Sequence, residues 1–210
     1  MPVLSSVEGP IAFVAGATGY TGRALLAELP RLESHWTARP HARKPGAPDA
    51  VVCDPRDVAA LTDGMRGCGA VVQLIGTVKA RFADGDYEAI DYGTTVALGT
   101  AAKAAGVPRL LLLSSAGAGW ARGSYLAWKK KTEDWVIASG LEYTIVRPSM
   151  IVGEGRRAMQ AVGSLLWPLP SARPIEVHQL ADLFVRALER PDVVRNQILE
   201  GRSLWRLLRD

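Results

Sequence analysis

Three side chains in the second half of the chain have types and a spacing that suit proton transfer. Tyr125 and Lys129 lie four residues apart and therefore share one face of a helix. A phenol is a poor acid or base near neutral pH, but a neighbouring ammonium stabilises its phenolate. Ser114 and Ser115 end the apolar run Leu110–Leu113, so one of these hydroxyls would hydrogen-bond a substrate oxygen. The alternative is a surface tyrosine and lysine at an accidental spacing.

A glycine-rich turn near the N-terminus indicates what would work with these groups. The apolar run 11–15 breaks into Gly16-x-x-Gly19-x-x-Gly22, and a helix-forming segment follows. This order predicts a buried parallel strand, a tight turn and a helix whose free N–H groups face a pyrophosphate. We therefore predict a dinucleotide site, whose nicotinamide would deliver hydride to a carbonyl carbon. The alternative is a tight turn of the same kind without a ligand.

The elements that must position these residues alternate between strand and helix. Together they predict an α/β fold, a Rossmann-type doubly wound parallel sheet with helices on both faces. The predicted strands are 11–15, 36–42, 50–54, 70–75, 110–113, 143–146 and 197–200, and the predicted helices 21–29, 57–65, 86–105, 124–139, 156–166 and 176–189. We expect a single domain over 1–210, in which 154–210 contribute a small C-terminal cap over the ligand-binding edge of the sheet.

Bulk properties narrow the class of protein. The 210 residues carry a net charge of +4 without a dense basic face, which argues against nucleic-acid binding. The lack of a long apolar stretch argues against a membrane protein or a secretory signal. Cys53 and Cys68 form no metal-binding pattern, so we expect reduced thiols, a cytoplasmic location and no metal. A small-molecule substrate is expected, and a monomer is preferred over a homodimer.

Six segments in a fixed order carry a resemblance to a known family. They are GATGYTG (16–22), LIGTVKA (74–80), YEAIDYGTTVALGTAAKAAGV (87–107), LLLLSSAGA (110–118), YLAWKKKTE (125–133) and SGLEYTIVRPSMIVGE (139–154). On these segments the chain resembles the atypical short-chain dehydrogenase/reductases of the NAD(P)H-binding, NmrA-like group. Within that group it is similar to the Tat-interactive-protein-like oxidoreductases. The order of the motifs is more specific for the superfamily than for the subfamily.

The resemblance implies a role for each matching position. Those expected to line the dinucleotide are Gly16, Thr18, Gly19, Tyr20, Thr21, Gly22, Leu74, Ile75, Gly76, Ser114 and Pro148. Asp54 would lie beside the adenine, unless it caps the following helix instead. Ser115, with Ser114 as the alternative, would orient the substrate oxygen. Tyr125 would be the acid/base, and Lys129 would bind the nicotinamide ribose while tuning Tyr125.

The basic residue that ends the second strand favours NADP(H) over NAD(H). Arg43 would hold a 2′-phosphate, with Arg39 and Lys44 as possible helpers, and no carboxylate stands there to bind the ribose hydroxyls. The alternative for all three is ordinary surface charge. Trp120, Trp128 and Trp167 could line an apolar substrate cavity under the cap, and the alternative is that they are core or interface residues.

Two departures from the family pattern leave the activity open. Asp91 and Tyr92 occupy the neighbourhood where many relatives have an asparagine that completes a proton relay. Lys130 and Lys131 could compete with Lys129 as the functional ammonium. The expected function is NADPH-dependent reduction of a small carbonyl or conjugated compound. The alternative is a non-catalytic NADP(H)-binding regulator or redox sensor.

Overall fold

One parallel sheet organises the molecule. The computed structural model describes residues 9–46, 48–77, 86–120, 123–153 and 173–209. The strands are β1 (Ile11–Ala15), β2 (Thr37–Ala42), β3 (Val51–Val52), β4 (Cys68–Gln73), β5 (Arg109–Leu113), β6 (Glu142–Arg147), β7 (Ile151–Val152), β8 (Ile175–Glu176) and β9 (Gln197–Glu200). Seven of them form a sheet in the order β3-β2-β1-β4-β5-β6-β9, and β7 pairs with β8 separately. Every pairing is parallel.

The helices lie on both faces of this sheet, which confirms the predicted doubly wound fold. They are α1 (Tyr20–Arg31), α2 (Val58–Met65), a π-helical segment (Tyr87–Gly93) that continues into α3 (Thr94–Ala104), α4 (Gly123–Ala138), α5 (Val177–Glu189), α6 (Pro191–Val194) and α7 (Arg202–Leu207). A 3₁₀ turn covers Ala118–Trp120. Within the described segments, no helix is long and apolar enough to cross a membrane.

Strand β1 shows how the sequence builds two cores. Ala12 and Val14 face the core that contains α1, α5 and α7. Phe13 and Ala15 face the opposite core, which contains α2, α3 and α4. All four side chains are fully buried. A strand covered on both faces must be apolar throughout, and this is why the run 11–15 shows no polar alternation.

The order in which the chain adds strands to the sheet reverses between β1 and β4. Such a reversal opens a crevice at the carboxyl ends of the two strands, and ligands bind there in open parallel sheets. The two strands lie side by side, and the N–H of Leu74 donates to the carbonyl of Ala15 at 3.0 Å. The glycine turn follows β1 directly, and 74–77 follow β4. Both segments therefore leave the sheet at the same edge.

The C-terminal part differs from the predicted cap. Strand β9 extends the sheet beside β6, and α5 packs against α1 with Leu180 and Phe184 fully buried. The described residues after 173 therefore belong to the body of the fold. The rest of the predicted cap, including the helix expected at 156–166, lies outside the described residues.

Candidate functional site

The glycine turn leaves no space for side chains. Gly16 has φ +84°, and a Cβ on Gly22 would lie 2.2 Å from the carbonyl oxygen of Gly16. The N–H of Gly19 donates to that same oxygen at 2.9 Å. Gly19 gives α1 no side-chain cap. The first turn of α1 thus has no side-chain cap and lines the cleft, so an anionic group can bind its N–H groups.

Two cavities meet at this turn and form one cleft along the edge of the sheet. One has a volume of about 510 Å³ and extends from Gly16 toward β2 and β3. The other has a volume of about 490 Å³ and extends toward β5, β6 and α4. Both are lined by Gly19 and by 74–77. Their junction at a glycine turn suits a two-part ligand whose linking anion binds the start of α1.

Charged side chains line the cavity beside β2. Arg43 is exposed at its mouth, and Asp54 and Arg56 lie opposite. Arg56 donates to Asp54 from its backbone N–H at 2.9 Å and from its guanidinium at 3.3 Å, and these bonds lower the pKa of Asp54 below its ordinary value. Sequence reasoning missed Arg56 because its position in the loop has no signature of its own.

Two alternatives raised for this end are decided by local contacts. Asp57, not Asp54, caps α2 by accepting the N–H of Ala60 at 3.0 Å. Arg39 points elsewhere, because it donates to the carbonyls of Gly64 and Arg66 at 2.9 and 2.7 Å. The prediction that Arg39 helps to hold a 2′-phosphate is therefore wrong.

The second cavity brings Ser115 and Tyr125 together. Ser115 is half-buried in the loop after β5, and Tyr125 reaches the cavity from the first turn of α4. The Tyr125 ring packs against Tyr87 with a centroid distance of 5.6 Å. Ser114 also contacts the cavity, but its buried hydroxyl donates to Glu133. Of the two serines that follow β5, the Ser114 hydroxyl is therefore bound to a carboxylate and the Ser115 hydroxyl is not.

Lys129 lies on the same face of α4, and its ammonium already has a partner. Its Nζ lies 2.7 Å from Asp91 Oδ1, with side chains 8% and 1% exposed, and 5.8 Å from the Tyr125 ring centroid. Asp91 also accepts the N–H of Thr77 at 3.3 Å. The neighbouring lysines point elsewhere, because Lys130 pairs with Asp134 and Lys131 lies 4.2 Å over the Trp128 ring.

A second buried ionic network lies one helical turn beyond Lys129. The Arg147 guanidinium donates to Glu133 at 2.9 and 2.5 Å and to Glu200 at 2.9 Å. Glu200 accepts the N–H of Gly117 at 3.2 Å. The hydrogen bonds that Arg147 donates to Glu133 raise the pKa of Arg147 above its ordinary value, so this guanidinium stays charged. Since Ser114 also donates to Glu133, the network holds the Ser115 loop at both ends.

The far wall of this cavity comes from the segment after β6. Pro148, Ser149, Met150 and Ile151 line it. Tyr20 links this wall to the glycine turn through a hydroxyl that donates to the carbonyl of Val152 at 3.5 Å. Apart from Ser149, these side chains are apolar.

Nearly all the predicted site residues lie along the cleft. The predicted residues that line one or both cavities are Gly16, Thr18, Gly19, Tyr20, Thr21, Gly22, Arg43, Asp54, Leu74, Ile75, Gly76, Ser114, Ser115, Tyr125, Lys129 and Pro148. The tryptophans do not join them. Trp120 is 81% exposed, Trp128 packs against Tyr92, and Trp167 lies outside the described residues.

Asp91, Glu133 and Arg147 are the functional candidates that sequence reasoning did not assign. For Asp91 the signal was its place in the central helix, where many relatives have an asparagine. For Glu133 it was the spacing, since Tyr125, Lys129 and Glu133 follow each other at intervals of four along α4. Only the fold shows which group each of them meets.

Comparison with known proteins agrees with this geometry. A family model described as NAD(P)H-binding matches residues 16–191. Ceramide reductase of Caulobacter vibrioides is 31% identical over 150 residues, which cover 68% of this chain and 46% of that protein. The mouse mitochondrial protein NADH dehydrogenase (ubiquinone) 1 alpha subcomplex subunit 9 is 27% identical over 212 residues, with 90% and 56% covered. The chain spans about half the length of these curated relatives.

A solved structure of similar size has the same fold. The oxidoreductase ylbE of Lactococcus lactis superposes with a TM-score of 0.72 at 20% identity, covering 95% of each chain. The family match extends from the glycine turn to the end of α5 and so includes both cavities and the residues between them. The chain belongs to the NAD(P)H-binding family, which agrees with the resemblance of its motifs to the NmrA-like short-chain dehydrogenase/reductases.

Proposed function

We propose that this protein is an NADPH-dependent reductase of a small carbonyl or conjugated compound. One observation carries the proposal. Ser115, Tyr125 and Lys129 line the same 490 Å³ cavity that begins at the glycine turn. A hydroxyl, a phenol and an ammonium thus converge beside the place where the family holds its nucleotide.

The cleft fits a dinucleotide by its shape and its donors. The glycine turn and the start of α1 would bind the pyrophosphate, because Gly22 admits no Cβ and the first turn of α1 lines the cleft without a side-chain cap. Lys129 would bind the nicotinamide ribose. The bound NADPH would supply the hydride. The adenosine half would occupy the cavity beside β2 and β3.

The protein's own side chains would handle the proton and the substrate oxygen. Ser115 would donate a hydrogen bond to the carbonyl oxygen and orient it. Tyr125 would deliver the proton to that oxygen as negative charge develops on it. The apolar wall at Met150 and Ile151 suits an uncharged, largely apolar substrate and excludes water from the reacting groups.

The preference for NADPH is supported by two arginines. Arg43 and Arg56 line the cavity beside β2, and both are exposed. A guanidinium can bind a 2′-phosphate through two parallel hydrogen bonds, which a ribose hydroxyl cannot accept in the same way. Asp54 does not offset them fully, since one carboxylate faces two cations.

The first experiment is a calorimetric titration with NADPH and, separately, NADH. Tighter binding of NADPH supports the proposal, equal affinities remove the preference, and no binding of either refutes the dinucleotide site. A carbonyl-substrate screen with NADPH oxidation as readout then tests catalysis. Tyr125→Phe should abolish turnover with little change in NADPH affinity, whereas the control Tyr143→Phe, outside the cavity, should keep both. Turnover that survives Tyr125→Phe would remove Tyr125 from its role.

A second candidate function is a non-catalytic regulator that reports the redox state of its nucleotide. The observation that favours it is the ion pair between Lys129 and Asp91, since an ammonium that already contacts a carboxylate at 2.7 Å is less available to act on Tyr125. NADPH binding without turnover on any screened carbonyl, in wild type and in Asp91→Asn, would support this function over the reductase.

We also propose that the protein is a monomer located in the cytoplasm. Cys53 and Cys68 are free thiols, as expected for a reducing compartment. Light scattering of the purified chain checks the oligomeric state, and fractionation of cells expressing it checks the compartment. A stable dimer or a secreted product would contradict this part alone.

A further inference from the structure

A buried ion pair lies where the two cavities join. A Cβ on Gly76 would lie 3.1 Å from Asp91 Oδ1 and 3.2 Å from Lys129 Nζ. Gly76 lines both cavities, so the pair lies directly behind the middle of the cleft. The carboxylate and the ammonium are 2.7 Å apart and almost fully buried. Their charges therefore act through protein with little screening by solvent.

This pair controls the net charge at the catalytic end of the cleft. Of the described residues that line the 490 Å³ cavity, Lys129 is the one with a charged side chain. Asp91 cancels that charge at close range. The next ionic network, Arg147 with Glu133 and Glu200, has one cation and two carboxylates, and none of the three lines this cavity. The Asp91–Lys129 pair therefore adds no net charge to the cavity wall while it is intact, and a change of either partner leaves one charge beside the cavity.

The two forms of the nucleotide differ in charge at this end. The nicotinamide ring of the oxidised form carries one positive charge, and the ring of the reduced form is neutral, while the rest of the molecule is the same. A net charge beside the ring therefore changes the affinity for one form relative to the other. A neutral pair adds no such bias.

We propose that the Asp91–Lys129 pair sets the relative affinity of this site for the oxidised and reduced nucleotide. The inference rests on the proposed function, because it requires the nicotinamide half to bind in the 490 Å³ cavity. Asp91 then acts through Lys129 and is a positioning and charge-balancing residue. It makes the site able to hold either form, as turnover or redox sensing requires.

The experiment measures the dissociation constants of NADP⁺ and NADPH for wild type and three variants by calorimetry. Asp91→Asn leaves Lys129 uncompensated and should weaken NADP⁺ relative to NADPH by about tenfold, the scale of one charge acting over several ångströms in protein. Lys129→Met leaves Asp91 uncompensated and should move the ratio by a similar factor in the opposite direction. The double variant should restore the wild-type ratio.

The two single variants should shift the ratio of NADP⁺ to NADPH affinity in opposite directions, and this separates an effect of charge from a loss of structure. Damage to the cleft would weaken both forms together and leave their ratio unchanged. The matched control is Glu88→Gln, which removes an exposed carboxylate from the same π-helical segment and should not move the ratio. If Asp91→Asn does not fold, Lys129→Met and the double variant still test the sign.

The outcomes distinguish this inference from the proposed function. Binding of both forms with one ratio in all variants overturns the inference and leaves the nucleotide site intact. Failure of wild type to bind either form refutes the proposed function, and the inference fails with it.

Discussion

The two halves of the cleft use similar ion pairs in opposite environments. Beside β2 and β3, Arg56 and Asp54 form a pair whose side chains are 59% and 50% exposed. Beside β5 and β6, Arg147 and Glu133 are 11% and 1% exposed. Exposed pairs contribute little to stability, whereas loss of one partner from a buried pair is costly. Substitution of a charged residue should therefore cost little stability in the exposed half and much more in the buried half.

This difference matches what each half would have to do. The exposed half would recognise a phosphate that remains partly hydrated. Its arginine side chains must therefore be long enough to reach the phosphate, but they need not be held rigidly. The buried half must hold Ser115, Tyr125 and Lys129 in one arrangement, because small displacements of reacting groups are expensive. Asp91 contacts the Lys129 ammonium, and Glu133 accepts the hydroxyl of Ser114 next to Ser115.

The largest effect is expected on stability, from loss of the buried carboxylate of Glu133, and the neighbouring exposed carboxylate of Asp134 serves as its control. Glu133→Ala should lower the free energy of unfolding by about 3–5 kcal/mol, because it leaves Arg147 partly unpaired and the Ser114 hydroxyl without its acceptor. Asp134→Ala, which removes the exposed pair with Lys130, should cost less than about 0.5 kcal/mol. Urea denaturation measures both. Similar losses for the two variants would contradict the contrast between buried and exposed pairs.

The second effect concerns the two serines of the buried half. On a confirmed substrate, Ser115→Ala should lower kcat/KM by about 100-fold, as expected for a lost group at the reacting oxygen. Ser114→Ala should lower turnover less but should reduce the free energy of unfolding by about 1 kcal/mol, because Glu133 loses a buried hydrogen bond. Steady-state kinetics together with urea denaturation checks the pair. If Ser114→Ala lowers kcat/KM more than Ser115→Ala does, Ser114 is the serine that orients the substrate oxygen.

A smaller effect is expected from the exposed half. Arg43→Ala and Arg56→Ala should each weaken NADPH binding by about tenfold and leave NADH binding nearly unchanged, because each removes one charge-assisted contact to the 2′-phosphate. The matched control is Arg66→Ala, whose exposed guanidinium pairs with Asp63 outside the cleft. Calorimetric titration gives all the affinities. Equal losses for NADPH and NADH would assign these arginines to the shared part of the nucleotide.

The smallest effect comes from one buried titratable group beneath the exposed half. Burial lowers the pKa of His41 below its ordinary value of 6.5, and its Nε2 lies 3.2 Å from the carbonyl of Cys53. The unfolded chain therefore binds more protons at His41, and the free energy of unfolding should fall as the pH drops below about 6.5. The loss cannot exceed about 1.4 kcal/mol for each pH unit.

Comparison with a variant isolates this group from the other histidines. His41→Gln keeps a side-chain N–H donor but cannot titrate. Urea denaturation at about pH 7.5 and about pH 5.5 should therefore show a smaller loss of stability for the variant than for wild type. Identical losses would mean that His41 does not contribute to the acid sensitivity.

The sequence by itself determined the fold class and most of the cleft. The apolar run before Gly16 and the glycines after it require a strand, a tight turn and a helix in that order, because only this order buries the run and leaves the turn free of side chains. The carboxyl ends of parallel strands share one edge. Hence the residues that follow β1, β4, β5 and β6 had to converge, whatever the loops between them.

The tertiary structure decided which groups pair within the cleft. Arg39 and Arg43 stand near each other in sequence, yet Arg39 donates to carbonyls at the C-terminal end of α2 while Arg43 lines the cavity. Local sequence places a side chain on a helix or a strand end. It does not say which distant carboxylate that side chain meets, because such a contact depends on how separate elements pack.

The same reason explains Asp91 and the C-terminal segment. Asp91 and Lys129 are 38 positions apart, and only the packing of the π-helical segment against α4 brings them to 2.7 Å. Strand β9 was visible as a short apolar run, but its place beside β6 follows from which sheet edge remained open. Periodicity determines each element, whereas long-range packing determines which elements become neighbours and therefore which charges cancel.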